Sequence, residues 1–219
     1  MYDAVLFDID DTLCAYRRSA GELLALAFDD VGVEPCFSVA DYFERYGAYV
    51  DSTDSVNELR RACFADLASE AGHDAGIGRA IADAFAAERD HRDVVPLPGI
   101  GVLDSLSVPV GVVTNGAPDM QAQKLEGLGL ADRFEVVVHA GYDTPAKPAP
   151  EGFHRACEAL GVAPDRTVHV GNSLTSDVAG AHAAGVASAW IPTDEERIDD
   201  PDPRPHHTFG TLADLGTLY

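Results

Sequence analysis

One strand stands apart from every partner it could pair with. The apolar run Ala4-Val5-Leu6-Phe7, closed by Asp8, has the texture of a buried parallel strand. Such a strand needs neighbours, yet residues 16–92 carry only helical periodicity. The neighbours come later, as apolar runs at 108–113, 134–138, 167–170 and 187–191. Helical stretches near 100–106, 119–128, 150–160 and 176–184 separate them. Alternation of this kind predicts an α/β fold, a three-layer Rossmann-like parallel sheet with helices on both faces. The chain therefore reads as a core domain made of residues 1–15 and 94–219, interrupted by an inserted α-helical domain over 16–93.

Within the insertion, Ser19 with Glu22, Ser38 with Asp41 and Ser55 with Glu58 have the spacing of capping boxes. The third opens a helix with Val56, Leu59, Cys63 and Leu67 on one face, and Ile77, Ile81 and Phe85 mark another. Pro96, Pro98 and Gly99 end the helical texture. Gly161 and Gly185 sit where left-handed helix stops belong. The stretch 193–207, rich in Asp and Pro, reads as a surface loop, followed by a short strand at 207–209 and a helical turn at 211–215.

Charge narrows the partners. Asp and Glu total 37 against 15 Lys and Arg, a net −22, which excludes nucleic acid polymers and anionic membranes as long-range partners. No apolar run is long enough to span a bilayer, and the N-terminus lacks a basic, cleavable leader, so a cytoplasmic protein is expected. Cys14, Cys36, Cys63 and Cys157 form no CxxC pair and read as reduced thiols. Asp in excess over Glu, with lysine only at 124 and 147, points to adaptation to very high salt, where self-repulsion is screened.

Ligands of open α/β sheets bind at the carboxyl ends of the strands. The strand ends here deliver Asp8-Ile9-Asp10-Asp11-Thr12, Thr114-Asn115-Gly116, and Gly171-Asn172-Ser173 with Asp177 close behind; Lys147-Pro148 precedes a helix. Carboxylates gathered at one edge call for a cation among them, and oxygen donors with retained waters suit Mg²⁺. The hydroxyl of Thr114 and the free amides that follow it offer an anion nest. Together these groups describe phosphoryl transfer, with Asp8 as the nucleophile.

In these motifs, taken in order and at these spacings, the chain resembles the haloacid dehalogenase superfamily, in its phosphatase-type form with an α-helical (C1-type) cap. The resemblance implies that Asp8 attacks phosphorus and that Asp10 protonates the leaving alcohol and then takes a proton from water. Thr12 would orient Asp10. Thr114, Asn115, Gly116 and Lys147 would hold the phosphoryl group, and Mg²⁺ would rest on Asp8, the carbonyl of Asp10, Asn172 and Asp177. Phosphatases of the family usually carry Asp where this chain has Asn172, which removes one negative charge and opens another divalent cation as the alternative. The substrate implied is a small phosphorylated metabolite.

Other readings of the same residues stay in view. A 2-haloacid dehalogenase usually lacks the second aspartate, so Asp10 opposes it; a phosphomutase and a degenerate phosphate-binding module are the remaining alternatives. Asp11 reads as a turn former. Lys124, mid-helix, reads as a solvent-facing partner for an acidic neighbour. His139 and His169 read as core histidines, and His206-His207 as too isolated for a metal. In the insertion, Tyr16, Arg17, Arg18, Tyr42, Arg45 and Tyr46 are the candidates to reach a substrate.

Overall fold

Successive residues of the first strand, β1 (Ala4–Phe7), face opposite sides of a sheet: Val5 and Phe7 join one apolar cluster, Leu6 the other. The computed structural model describes residues 1–49, 52–53, 55–193 and 197–219, so positions 194–196 of the acidic loop lie outside the described residues. After β1 come β2 (Cys14–Tyr16) and four helices, α1 (Ala20–Val31), α2 (Val39–Tyr46), α3 (Val56–Glu70) and α4 (Ala75–Glu88). Then follow β3 (Val94–Pro96), β4 (Val110–Thr114), α5 (Pro118–Gly127), β5 (Val136–His139) and α6 (Glu151–Leu160). The chain closes with β6 (Thr167–Gly171), α7 (Ala179–Ala183), β7 (Ala187–Trp190) and β8 (His207–Thr208).

Contacts divide the chain into two units, Met1–Tyr16 with His91–Tyr219, and Arg17–Asp90. Residues 91–93 go with the first unit because β3 pairs antiparallel with β2, a ladder of three residues per strand that is too short to show a sequence period.

The main sheet of the first unit has the order β5-β4-β1-β6-β7-β8, and every ladder in it is parallel. Val5, Phe7, Val110, Val112, Val168 and Val170 pack on one face with Leu103, Leu125, Leu212 and Leu215. Leu6, Val113 and Val138 pack on the other with Phe153, Ala156 and Ala181 from α6 and α7. This is the three-layer α/β core. The chain runs outward from β1 through β4 to β5, then crosses to β6, so the strand order reverses between β1 and β6.

Details differ from the periodicity. Strand β4 starts at Val110, since Pro109 has no N–H to give the ladder. Residues Ile100–Ser105 wind as a 3₁₀ helix, Leu174–Val178 as a π turn leading into α7, and the last turn extends over Leu212–Leu218. Gly161 and Gly185 adopt φ of 67° and 71°, as their stop positions require. Among the described residues no helix is long and apolar enough to cross a membrane.

The second unit is helical. Ser19 and Glu22, and Ser38 and Asp41, close both halves of their capping boxes, and the Ser55 hydroxyl accepts the Glu58 amide. Its core gathers Phe28, Tyr42, Phe64, Ile81 and Phe85. Tyr42, a substrate-facing candidate from the sequence, lies in that core with its ring 5.1 Å from Phe64. Arg45 pairs with Glu70, and Arg18 with Glu88.

Gly78 lets α4 approach α3: a Cβ there would stand 2.0 Å from the carbonyl oxygen of Phe64. Gly78→Ala should therefore lower stability by about 1–3 kcal/mol despite the better helix propensity of Ala, read as a lower midpoint in urea. An unchanged or higher midpoint would contradict this packing.

Candidate active site

Asp8 leaves β1 at the crevice between β1 and β6, and its amide is seated on the carbonyl of Val170 at 2.9 Å. The ammonium of Lys147 uses three donors there: Asp8 Oδ1 at 2.8 Å, the Val113 carbonyl at 2.8 Å and Asp177 Oδ1 at 2.6 Å. Asp177 Oδ1 also accepts from Nε2 of His169 at 3.0 Å, and its Oδ2 accepts the Ser173 amide at 3.0 Å. All four residues are buried.

The electrostatics follow from that burial. Burial alone would raise Asp177, but Lys147 and His169 outweigh it and hold the carboxyl below the usual range. Burial opposes the charge on Lys147, yet Asp8 and Asp177 raise its pKa. For Asp8 burial wins: with Asp177 and Asp10 adding to it, the carboxyl is pushed up to about 6 against the pull of Lys147. Burial lowers His169, which stays a neutral donor in the core as its sequence context implied.

Two of the motif residues, Asn115 and Thr114, act through their side chains on the backbone around them. Asn115 and Lys147 form a reciprocal clamp: the Lys147 amide donates to Oδ1 at 2.8 Å, and Nδ2 donates to the Lys147 carbonyl at 3.1 Å. This clamp ties the backbone of Lys147 to the end of β4. The buried hydroxyl of Thr114 accepts the Gly116 amide at 3.4 Å and Nε2 of Gln121 at 3.1 Å. Gly116 has no room for a side chain, since a Cβ would meet Gln121 at 1.7 Å. Between them, Ile9 to Cys14 make a tight return in which Asp11 takes φ 53°, consistent with its reading as a turn former.

The structure corrects two expectations. Lys124 is not solvent-facing: it is 2% exposed, its ammonium lies 2.5 Å from Asp10 Oδ1 and 4.8 Å from the ring centre of Tyr16. Burial opposes its charge, but Asp10 and Tyr16 raise its pKa. Thr12, expected to orient Asp10, directs its hydroxyl to Asn172 Oδ1 at 3.5 Å; Asp10 is held instead by Lys124 and by Gln121 Nε2, at 2.8 Å from Oδ2. Asp177, expected as a metal ligand, is engaged at Oδ1 by Lys147 and His169 and at Oδ2 by the Ser173 amide, which makes it the counterion of Lys147 and leaves Oδ2 with capacity for one further contact. Gln121 escaped the sequence reading, and Lys124 was given no part in the site. Their only signal was an i, i+3 spacing of polar residues on α5, which is ordinary for a solvated face.

Whether a divalent cation suits the site depends on its oxygens. Among the described residues no three His, Cys, Asp or Glu side chains group to hold one ion. The oxygens that the sequence assigns to an ion are all hard donors: the Asp8 carboxylate, of which Lys147 takes Oδ1, the main-chain carbonyl of Asp10, and Oδ1 of Asn172 beside Thr12. Hard oxygens of this kind, with waters in the remaining positions, fit Mg²⁺. The charge fits too, because Asp8, Asp10 and Asp177 bring three negative charges against two from Lys124 and Lys147.

The family model of the haloacid dehalogenase-like hydrolases matches residues 2–185, which include Asp8, Thr114, Lys147 and Asp177. The chain belongs to that family. This hydrolase is 34% identical over 159 residues to a phosphoserine phosphatase of Thermus thermophilus, an alignment covering 72% of this chain and 64% of that enzyme. It is 31% identical over 208 residues to a validoxylamine A 7'-phosphate phosphatase of Streptomyces hygroscopicus subsp. limoneus, covering 92% of each. Among solved structures, a 2-haloacid dehalogenase from Pseudomonas syringae pv. Tomato superposes with a TM-score of 0.70 at 26% identity, over 100% of this chain and 98% of that one.

Proposed function

We propose that this hydrolase is a Mg²⁺-dependent phosphatase of a small phosphorylated metabolite, working through an aspartyl-phosphate on Asp8. One observation carries the reading: Lys147 holds Oδ1 of the strand-end Asp8, and a second carboxylate, Asp10, lies close enough to act on its charge. Dehalogenases of the family usually lack that second carboxylate, and the curated relatives described above are named as phosphatases of small molecules.

In the first half-reaction Asp8 Oδ2 forms a bond to phosphorus as the bond to the leaving oxygen breaks, and Asp10 gives that oxygen its proton. In the second, water attacks the aspartyl-phosphate, Asp10 takes its proton, and Asp8 departs as carboxylate. Lys147, Thr114 and the amides of Asn115 and Gly116 hold the phosphoryl oxygens. The ion would be held by Asp8, the Asp10 carbonyl and Asn172, and when bound it neutralises charge on the phosphoryl group and on Asp8. Asp177 serves this arrangement as the counterion that keeps Lys147 in place.

The helical unit is the cap of this reading, and a salt-rich cytosol is the compartment its acidic, lysine-poor composition favours. The test is an assay in multi-molar KCl with an aryl phosphate, a panel of phosphorylated metabolites and 2-chloropropionate, with and without Mg²⁺. Metal-dependent phosphate release, lost in Asp8→Asn, is expected. Chloride release without metal would replace the reading with dehalogenation, and no turnover would leave a phosphate-binding module.

Asn172 contributes a dipole where a carboxylate would contribute a charge. Asn172→Asp should lower the Mg²⁺ concentration for half-maximal activity by about 10-fold or more. Matching titrations in the two proteins would remove Asn172 from the metal set.

A further inference from the structure

The chain has two lysines in 219 residues, and both are buried in the same group of aspartates. Lys147 has a role in the reading above; Lys124 has none. We propose that Lys124 and Gln121 are positioning residues for Asp10, holding its carboxyl group at the place where the leaving oxygen departs. The inference rests on the phosphatase reading and assigns the part of the machinery that aims its acid–base group.

Gln121 and Lys124 are three residues apart on α5 and so share a face, which is 0% and 2% exposed. Each takes one oxygen of Asp10: Nε2 of Gln121 donates to Oδ2 at 2.8 Å and the ammonium of Lys124 to Oδ1 at 2.5 Å. Two donors on two oxygens fix both the direction and the rotation of the carboxyl group. The amide of Gln121 also donates to Thr114 Oγ1 at 3.1 Å. Asp10 is thereby held in register with the hydroxyl assigned to the phosphoryl group, and Gly116 leaves the space that Gln121 occupies.

A purely stabilising ion pair would be built otherwise. The side chain of Asp10 is 43% exposed and would be solvated without help, whereas enclosing an ammonium costs several kcal/mol that its partners must offset. Gln121 adds to that cost, because its Oε1 is buried with no hydrogen-bond partner among the described residues. Leu or Met at both positions would pack α5 at lower cost. What the polar pair adds is a fixed place for Asp10, and misplacement of a reacting group by about 1 Å can cost 10²-fold in rate.

The experiment compares kcat/KM for phenyl phosphate and 4-nitrophenyl phosphate, two esters of similar shape whose leaving groups differ in their need for a proton. Lys124→Met should lose about 10–10²-fold more on phenyl phosphate than on 4-nitrophenyl phosphate, as should Asp10→Asn, and Lys124→Arg should recover most of the difference. Gln121→Met should show the same selective loss and carries the test if Lys124→Met does not fold. Equal losses on the two esters, or none, would overturn the proposal while the phosphatase reading stands. Wild-type protein inert toward both esters would overturn the two together.

Discussion

Asp8→Asn should lower phosphate release at least about 10⁴-fold and leave the fold intact. The amide keeps the shape of the carboxyl group and an oxygen for Lys147, but it offers no nucleophile for phosphorus. Stability should move in the opposite direction. In the fold the Asp8 carboxyl is pushed up to about 6 by burial, with Asp177 and Asp10 adding to the effect, while an unfolded aspartate titrates near 4. A folded-state pKa raised above the unfolded one means that the native protein binds the proton more tightly. Folding is then favoured at low pH, and that advantage is lost between about pH 4 and 6. Asn removes the dependence, so in metal-free KCl the variant should gain on wild type by about 2 kcal/mol over that window and stay level above it. Denaturant midpoints at several pH values, beside the phosphate assay, read both effects. A variant that keeps its activity would remove Asp8 from the chemistry, and a midpoint difference that falls with rising pH would contradict the burial argument.

Lys147→Met should do the reverse to stability. Its ammonium sits between Asp8 and Asp177 with a side chain only 1% exposed, so its removal leaves two carboxylates facing each other inside the protein. Breaking a buried pair in this way costs about 3–5 kcal/mol, because the remaining charge is uncompensated. Activity should be lost as well, since the phosphoryl group loses its main cationic contact. The discriminating measurement is the double variant Lys147→Met/Asp8→Asn. Removing one of the two carboxylates should recover part of the lost stability, and additive losses would show that the residues are not coupled. His169 and the Ser173 amide remain on Asp177 in every case, which is why partial recovery is expected.

Much of this could be read from the chain itself. Five of the six strands of the main sheet are short, largely apolar runs, and β1, β4 and β6 end near residues whose chemistry would place them at a ligand. Asp8 is conspicuous because a carboxylate directly after four buried residues is costly to desolvate without a partner. Lys147 stood out by scarcity, in a chain that has almost dispensed with lysine. Gly116 was noticed for its amide, but its lack of a side chain turns out to serve Gln121. The short ladder of β2 and β3 escaped notice because three residues show no period. Lys124 was misread for a different reason. A cation mid-helix with acidic residues nearby is the commonest pattern of a solvated surface, and although lysine is as scarce at 124 as at 147, no strand end or turn marked the position.

Local and repeating patterns therefore determined the α/β alternation, the helical insertion, the strand-end aspartates and the loop that carries Lys147. Each depends on residues within a few positions of one another, where period, capping and turn chemistry act directly. Tertiary structure decided which polar groups meet. Asp177 closes on Lys147 rather than standing free, Thr12 turns to Asn172, and the Lys124 face of α5 comes down on Asp10, which is 114 residues away. Helical periodicity says which side chains share a face, but the neighbour of that face is set by the β4–α5–β5 crossover, which brings Leu125 of α5 into the cluster of Val5 and Phe7. Both lysines are buried for that reason, and only one of them announced it.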